Sequence, residues 1–280
     1  MNGGYSYRAS VKSDASDELI NTWILRPLAG ILVRLLYASP VTPNQVTLAA
    51  TAVGLAAAGL YLPGSASATA AAGLMITLKD LLDSADGQLA RAKQMFSRAG
   101  RFLDSIGDIA VNAAVFAAIA AAFLRAGAHP ALPAACLPAF LGISLRVSYH
   151  VFYQSSFLHL RNAYLGNRTS EEIREEDRHA DPRTLGLQRV FLFLYGWQDA
   201  LMARIDAWCR GARGTDAAWY GDVTGVRISG FMGMGTELML LTLCSVAGRL
   251  DIYLAVNCVG MNCLWGAAVG YRRWVLRRRV

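Results

Sequence analysis

Apolar residues along this chain gather into six long runs that are separated by polar stretches. Each run approaches the roughly 20 residues that a helix needs to cross a bilayer. The runs cover residues 46–62, 65–82, 102–124, 131–153, 228–248 and 250–271. The pattern predicts an all-α, polytopic membrane protein with six transmembrane helices.

The segment before the first run has a different pattern. Between residues 17 and 37, apolar side chains recur at helical spacing among Arg26 and Arg34, which is typical of a helix that lies in the membrane interface. Pro27 either bends this helix or starts a second piece. We therefore expect an N-terminal interfacial amphipathic helix within residues 1–40.

The remaining chain divides by polarity. Residues 41–153 contain the first four apolar runs, and residues 228–280 contain the last two and a basic tail. The stretch between them, 154–227, is too charged in its first half to lie in hydrocarbon, which favours a cytoplasmic insert. Its second half has only a short apolar run, so an interfacial helix is favoured over a seventh span.

The distribution of charge predicts the orientation in the membrane. The chain is 54% hydrophobic and carries a net charge of +7, but its Lys and Arg residues concentrate in alternate connections rather than on one nucleic-acid-binding surface. By the positive-inside rule, the basic connections and both termini face the cytoplasm. We expect a multi-pass protein of a bacterial plasma membrane, with no nucleic-acid partner.

Carboxylates occur in the second and third runs, where charged side chains are costly and usually functional. Asp83 and Asp86 are separated by three positions, and Asp104 and Asp108 by four, so each pair projects from one face of a helix. Four carboxylates that face one gap repel one another, and divalent cations with oxygen ligands relieve that repulsion. We expect Mg²⁺ or Mn²⁺ here, and two ions are the favoured number.

The neighbours of these acids suit a phosphorylated ligand. Gly87 and Ala90 leave the face of Asp83 free of bulky side chains, and Arg91 offers a fixed positive charge to a phosphate. Gly100 stands one helical turn before Asp104. Together with metal ions, these residues form the parts of a phosphoryl-transfer site.

The segment from residue 83 to residue 108 reads DSADGQLAR, eight further residues, and then GRFLDSIGD. It resembles the complete signature of the CDP-alcohol phosphotransferase family. The TPNQVT segment before the first run and the six-run layout are also similar to that family, so the resemblance covers most of the chain except the insert.

The resemblance implies a role for each matching residue. It makes Asp83, Asp86, Asp104 and Asp108 the metal-site acids, and Asp108 also the catalytic base that activates the acceptor hydroxyl. The residues that would bind the nucleotide are Gly87, Ala90, Arg91, Gly100, Asn44 and Thr47. For Asn44 and Thr47 a structural alternative is open, since either can cap the first membrane helix.

The resemblance also implies a reaction, which moves a phosphate-linked alcohol from a CDP carrier to an acceptor hydroxyl and releases CMP. The expected setting is phospholipid biosynthesis, with CDP-diacylglycerol as the donor, membrane lipid as a partner and a homodimer as the assembly. One alternative is a CDP-aminoalcohol transferase that acts on a lipid acceptor. Another, from a different class, is an ion-coupled membrane transporter.

Further charged residues in the apolar runs have two interpretations each. Asp80 pairs with Lys79 or acts as a second acid behind the site, and the acids themselves can be read as salt-bridge partners of nearby basic residues. Glu237 neighbours a bound cation or bonds to polar groups of another helix. Arg146 binds the acceptor, through a phosphate group, or extends to the interface.

Overall fold

The computed structural model describes residues 5–10, 18, 20–160, 171–175, 181–211 and 217–278. Every regular element within them is helical, and two π-helical turns interrupt the α-helices at Asn21–Leu25 and Val256–Met261. The α-helices are α1 Tyr7–Ser10, α2 Arg26–Leu36, α3 Pro43–Tyr61, α4 Ala66–Ala92, α5 Arg98–Arg125, α6 Ala131–Leu160, α7 Pro182–Arg210, α8 Ala217–Tyr220, α9 Val223–Gly230, α10 Met234–Val246, α11 Leu250–Ala255 and α12 Asn262–Arg278.

Four helical stretches of the described chain are long and apolar enough to cross a membrane. They are α5, α6, the broken pair α9–α10 and the pair α11–α12, with the ranges Arg98–Arg125, Ala131–Leu160, Val223–Val246 and Leu250–Val275. The first two predicted runs do form helices, α3 and α4, but α3 is rich in small residues and α4 carries several charged ones. The all-α membrane fold is confirmed, and the count of six spans stays a prediction.

The helices α3, α4 and α5 form the part of the bundle that positions the acids. Helix α3 packs along both α4 and α5, because small residues on these helices allow close approach inside a membrane. The largest apolar core lies beside them and joins side chains of α3, α4, α5, α6, α10 and α11, including Ile76, Ile119 and Ile143. The two acid-bearing helices are therefore held in a defined register.

Helix α3 begins with a capping box built by residues other than those we expected. Thr42 is the N-cap: its hydroxyl accepts from the Gln45 backbone N–H at 3.4 Å, and the Gln45 side chain accepts from the Thr42 N–H at 2.9 Å. The expectation that Asn44 or Thr47 caps this helix is wrong. Both lie inside α3, so their side chains are available to the acidic motif.

The N-terminal helix α2 has two apolar faces. One face packs on α4, where Ala29 and Val33 join Ala85 and Leu89 in a small core. The other face of α2 and the preceding π-helical turn is exposed and includes Trp23, Leu28, Ile31 and Leu35. This pattern agrees with an interfacial helix, although its position in a membrane stays a prediction. Residues 17 and 19 of the predicted helix lie outside the described part of the chain.

Helix α7, with 29 residues, is about 43 Å long and belongs to the insert. It contacts α5 near the start of that helix, where Phe191 packs on Phe102 at 5.2 Å between ring centroids. It contacts α6 toward its end, where Tyr153 donates to Asp206 at 2.9 Å. Helix α7 therefore crosses the helix ends that the charge pattern predicts to be cytoplasmic, and it is not among the four candidate spans. Residues 161–170, 176–180 and 212–216 of the insert lie outside the description.

Candidate active site

Three of the four predicted metal ligands converge between α4 and α5. Asp83 of α4 and Asp104 and Asp108 of α5 each contribute a carboxylate oxygen, and these oxygens lie within 4.8 Å of one another. The helical spacing explains the arrangement, because Asp104 and Asp108 project from one face of α5 toward α4. The fourth acid, Asp86, lies outside this three-residue cluster.

Asp86 is buried and is held by α3. The Thr47 hydroxyl donates to Asp86 Oδ2 and also approaches the Pro43 carbonyl oxygen at 3.2 Å. The structure therefore brings Thr47 to the acid pair of α4, which is the neighbourhood that the sequence predicted for it. Metal binding by Asp86 and nucleotide binding by Thr47 both stay predictions.

Asn44 lies against the start of α5, where Gly100 stands. A Cβ atom added to Gly100 would lie 2.5 Å from Asn44 Oδ1 and 2.8 Å from Ser97 Oγ, so a larger residue would displace both side chains. Ser97 caps α5 by accepting from the Gly100 N–H at 2.9 Å. The glycine is thus required by a close approach between α3 and α5, which is compatible with the predicted nucleotide contact.

The acidic cluster contains one positive side chain. Lys79 is buried on α4, and its Nζ atom pairs with Asp108 and lies 3.7 Å from Asp83 Oδ1. The interpretation of the acids as salt-bridge partners is therefore correct for Lys79. The predicted pair between Lys79 and Asp80 is absent from the ion pairs of the described residues, because the lysine extends toward α5 instead.

The donor set fits a hard divalent cation. The cluster offers carboxylate oxygens alone, which Mg²⁺ and Mn²⁺ prefer. One of these oxygens, Asp104 Oδ1, is buried and has no hydrogen-bond partner in the described chain, and such a group is costly unless something binds it. Lys79 supplies only one positive charge to three carboxylates. The cluster can therefore hold a metal ion in addition to the lysine.

The three remaining motif residues of α4 follow Asp86 along the helix. Arg91 donates from Nε to the Ser10 carbonyl oxygen, so the N-terminal segment lies over this arginine. A Cβ atom on Gly87 would lie 3.6 Å from the Arg91 guanidinium, an ordinary contact. Ala90 is partly buried beside them. Their predicted role in nucleotide binding stays a prediction.

Arg146 of α6 lies deep in the bundle, where it contacts α10 and the α11–α12 pair. Its Nε atom donates to Glu237 Oε1 at 2.6 Å, and both side chains are 0% exposed. Its Nη1 atom donates to Asn262 Oδ1 at 2.8 Å and to the Asn257 carbonyl oxygen at 3.2 Å. The alternative that Arg146 extends to the interface is wrong, and Glu237 bonds to polar groups of other helices. Acceptor binding by Arg146 stays a prediction.

The insert contributes residues that the sequence did not single out. Tyr195 of α7 donates to the Ser105 carbonyl oxygen at 2.8 Å, between two acids of α5. Glu171 is buried and pairs with Arg98 and Arg101 at the start of α5. No motif marks these positions, so only contact with α5 reveals that part of the insert covers this end of the site.

The electrostatic environment of Tyr195 places it close to the cluster. Burial raises the pKa of Tyr195 well above its ordinary value, and the carboxylates of Asp108 and Asp104 raise it further. The phenol therefore stays protonated and donates its hydrogen bond throughout the physiological pH range. Tyr195 therefore presents a neutral hydrogen-bond donor to the segment of α5 between Asp104 and Asp108.

Comparison with known proteins gives two findings. A family model described as CDP-alcohol phosphatidyltransferase matches residues 40–209, which include the acidic cluster and most of α7. The bifunctional IPC transferase and DIPP synthase of Thermococcus kodakarensis is 36% identical over 109 residues. That alignment covers 39% of this chain and 23% of the relative's length.

Proposed function

The chain belongs to the CDP-alcohol phosphatidyltransferase family, and from that premise we propose that it transfers a phosphate-linked alcohol from a CDP carrier to an acceptor hydroxyl. CMP is the other product, and phospholipid biosynthesis is the setting. The observation that carries the proposal is the convergence of Asp83, Asp104 and Asp108 across two helices, within the segment that matches the family.

Each acid has a distinct place in the proposed reaction. Asp83, Asp86, Asp104 and Asp108 would hold one or two divalent cations, Mg²⁺ or Mn²⁺, and Asp108 would also act as the base. Bound cations would neutralise the pyrophosphate and stabilise the charge on the leaving CMP. Asp108 accepts the proton of the acceptor hydroxyl, and its ion pair with Lys79 holds its carboxylate between α4 and α5.

The residues around the acids would bind the donor. Gly87, Ala90 and Arg91 border the CDP group on α4. Asn44 and Thr47 border it on α3, and Gly100 does so at the start of α5. The close contact between Asn44 and the Gly100 position supports this assignment, because it brings Asn44 of α3 next to the first turn of the helix that carries Asp104 and Asp108.

We propose CDP-diacylglycerol as the donor and a small or phosphorylated polyol as the acceptor. The apolar surface expected around the bundle suits a donor with acyl chains. A CDP-aminoalcohol donor with a lipid acceptor is the alternative that the same chemistry allows, and the family membership argues against an ion-coupled transporter.

The proposal includes a location and an assembly. Helices α3 and α4 complete six spans with the four candidate spans, and the exposed apolar face of α2 lies in the membrane interface. Both termini, α7 and the acidic cluster then face the cytoplasm of a bacterial cell. The expected assembly is a homodimer, which cross-linking in native membranes would test.

The activity test uses the purified full-length protein in lipid nanodiscs with Mg²⁺ or Mn²⁺. CMP release is measured with CDP-diacylglycerol, CDP-ethanolamine and CDP-glycerol, each with polyol, polyol-phosphate and diacylglycerol acceptors. We expect release with CDP-diacylglycerol, dependent on an acceptor and abolished by EDTA. Mass spectrometry of the lipid product identifies the acceptor that was used.

Asp108→Asn tests the proposed base, and we expect it to lower turnover by about 10²–10⁴-fold. Asp251→Asn is the control, because Asp251 is exposed beside Arg249 and far along the chain from the motif. Undiminished turnover by Asp108→Asn would refute the assignment of the base. If none of the donors yields CMP while the protein conducts cations into liposomes, the proposed transferase activity is refuted.

A further inference from the structure

Lys79 is an unusual residue for its surroundings. Its side chain is 3% exposed and lies within a bundle of apolar helices. A buried ammonium is costly unless carboxylates compensate it. Lys79 lies outside the 83–108 signature that carries the family resemblance, so the signature by itself does not require it.

The surrounding helices form a slot for the lysine. Gly54 of α3 faces its aliphatic stem: a Cβ atom added there would lie 3.2 Å from Lys79 Cγ and 2.6 Å from Val111 Cγ1. A side chain at position 54 would thus compete with the lysine for space. Because Gly54 has no side chain, the Lys79 ammonium can reach between α4 and α5.

The ammonium is held by two of the three clustered carboxylates. It pairs with Asp108 on α5 and lies 3.7 Å from Asp83 one turn along α4. Both acids belong to the group whose oxygens lie within 4.8 Å of one another. Lys79 therefore joins the two helices through carboxylates of the same residues that would bind a divalent cation.

We propose that Lys79 is a positioning residue that serves as a permanent cation of the acidic cluster. It fixes Asp108 toward α4, and its charge weakens the binding of divalent cations until an anionic substrate adds negative charge. The inference rests on the metal site of the proposed function. Its physical basis is the repulsion between an ammonium and a divalent cation that share the same carboxylates in a region of low dielectric.

The test is Mn²⁺ binding by the substrate-free, full-length protein at pH 8, measured by electron paramagnetic resonance of the free ion. Lys79→Met keeps the length of the side chain and removes its charge. We expect the Mn²⁺ dissociation constant to fall by about tenfold or more, because the repulsion is lost. Lys79→Arg keeps the charge, so its affinity should stay close to that of the unmodified protein.

Lys93→Met is the matched control. Lys93 immediately follows α4, and its ammonium donates to the carbonyl oxygens of Ser39 and Val41 at 2.7 Å each. Its replacement removes the same charge without touching the cluster, and the Mn²⁺ affinity should change by less than about twofold. Size-exclusion profiles and thermal midpoints establish that each variant is folded. Lys79→Gln takes the place of Lys79→Met should the latter not fold.

Unchanged or weaker Mn²⁺ binding by the folded, uncharged variant would overturn the inference. An equal gain in affinity in Lys93→Met would also overturn it, because the effect would then reflect net charge. The binding assay needs no turnover. If the unmodified protein releases CMP while Lys79→Met binds Mn²⁺ unchanged, the inference alone fails. If no donor yields CMP while Lys79→Met binds Mn²⁺ more tightly, only the proposed reaction fails.

Discussion

The buried ion pair between Arg146 and Glu237 allows a quantitative test of how the bundle is stabilised. Both side chains are fully buried, and Nε and Oε1 lie 2.6 Å apart. Asn257 donates to the second Glu237 oxygen at 3.2 Å, so the pair belongs to a network across three helical elements. Removing one partner leaves the other charge buried and uncompensated, which costs about 3–5 kcal/mol.

A double-mutant cycle separates this cost from other effects. Arg146→Met and Glu237→Leu should each lower the free energy of unfolding by about 3–5 kcal/mol. The double variant should lose less than the sum, with a coupling of at least about 2 kcal/mol, because both charges leave together. Thermal unfolding in one detergent measures the effect, at roughly 2–4 °C for each kcal/mol.

The pair Arg249–Asp251 provides the control for this cycle. Its side chains are 56% and 44% exposed, so the same cycle there should give a much smaller coupling, because solvent screens the pair. Additive losses for Arg146 and Glu237 would refute the argument. A stable Arg146→Met variant with a raised KM for the acceptor would instead support the predicted acceptor-binding role.

Three further predictions follow from the insert. The fully buried carboxylate of Asp206 accepts hydrogen bonds from four donors of α6, α7 and α8. Asp206→Asn should therefore lower stability by about 2–3 kcal/mol in thermal unfolding and leave the Mn²⁺ affinity unchanged. Tyr195→Phe should lower kcat several-fold at an unchanged thermal midpoint, because the bond to the Ser105 carbonyl oxygen is lost beside the cluster; an unchanged kcat would contradict this. Desolvation of its carboxyl group by the surrounding protein, and then the charge of Glu171, raise the pKa of Asp199 to about 6, although the residue as a whole remains exposed to solvent. This group should therefore lower stability as pH rises from about 4 to about 6. Asp199→Asn should remove that dependence, an effect below about 1 kcal/mol for an exposed residue.

The arrangement of the acids on their helix faces could be predicted because it depends on residues that are close together in the sequence. Helical periodicity places Asp104 and Asp108 on one face, and a carboxylate in an apolar run is costly enough to indicate a function. Asp83, Asp104 and Asp108 do converge. The contact between Asp86 and Thr47 could not be predicted from the sequence, since it depends on how α3 crosses α4.

The buried charges outside the 83–108 signature show what helical periodicity cannot predict. For Arg146 the sequence allowed an acceptor site or an interfacial position, and the tertiary structure places it in an ion pair with Glu237, 91 positions along the chain. Lys79 extends to α5 rather than to its sequence neighbour Asp80. Helix packing decides which residues become partners of this kind, and it cannot be read directly from the sequence.

By itself, the sequence determined the helical class, the segments rich enough in apolar residues for a membrane, and the helix faces that carry the acids, because these properties depend on hydropathy and on a repeat of 3.6 residues per turn. Only the tertiary structure decided that Lys79 lies among the acids, that Thr42 caps α3, and that α7 covers the start of α5 through Tyr195. Those features arise where helices distant in sequence meet, and the shape of side chains at each crossing selects which of them come into contact.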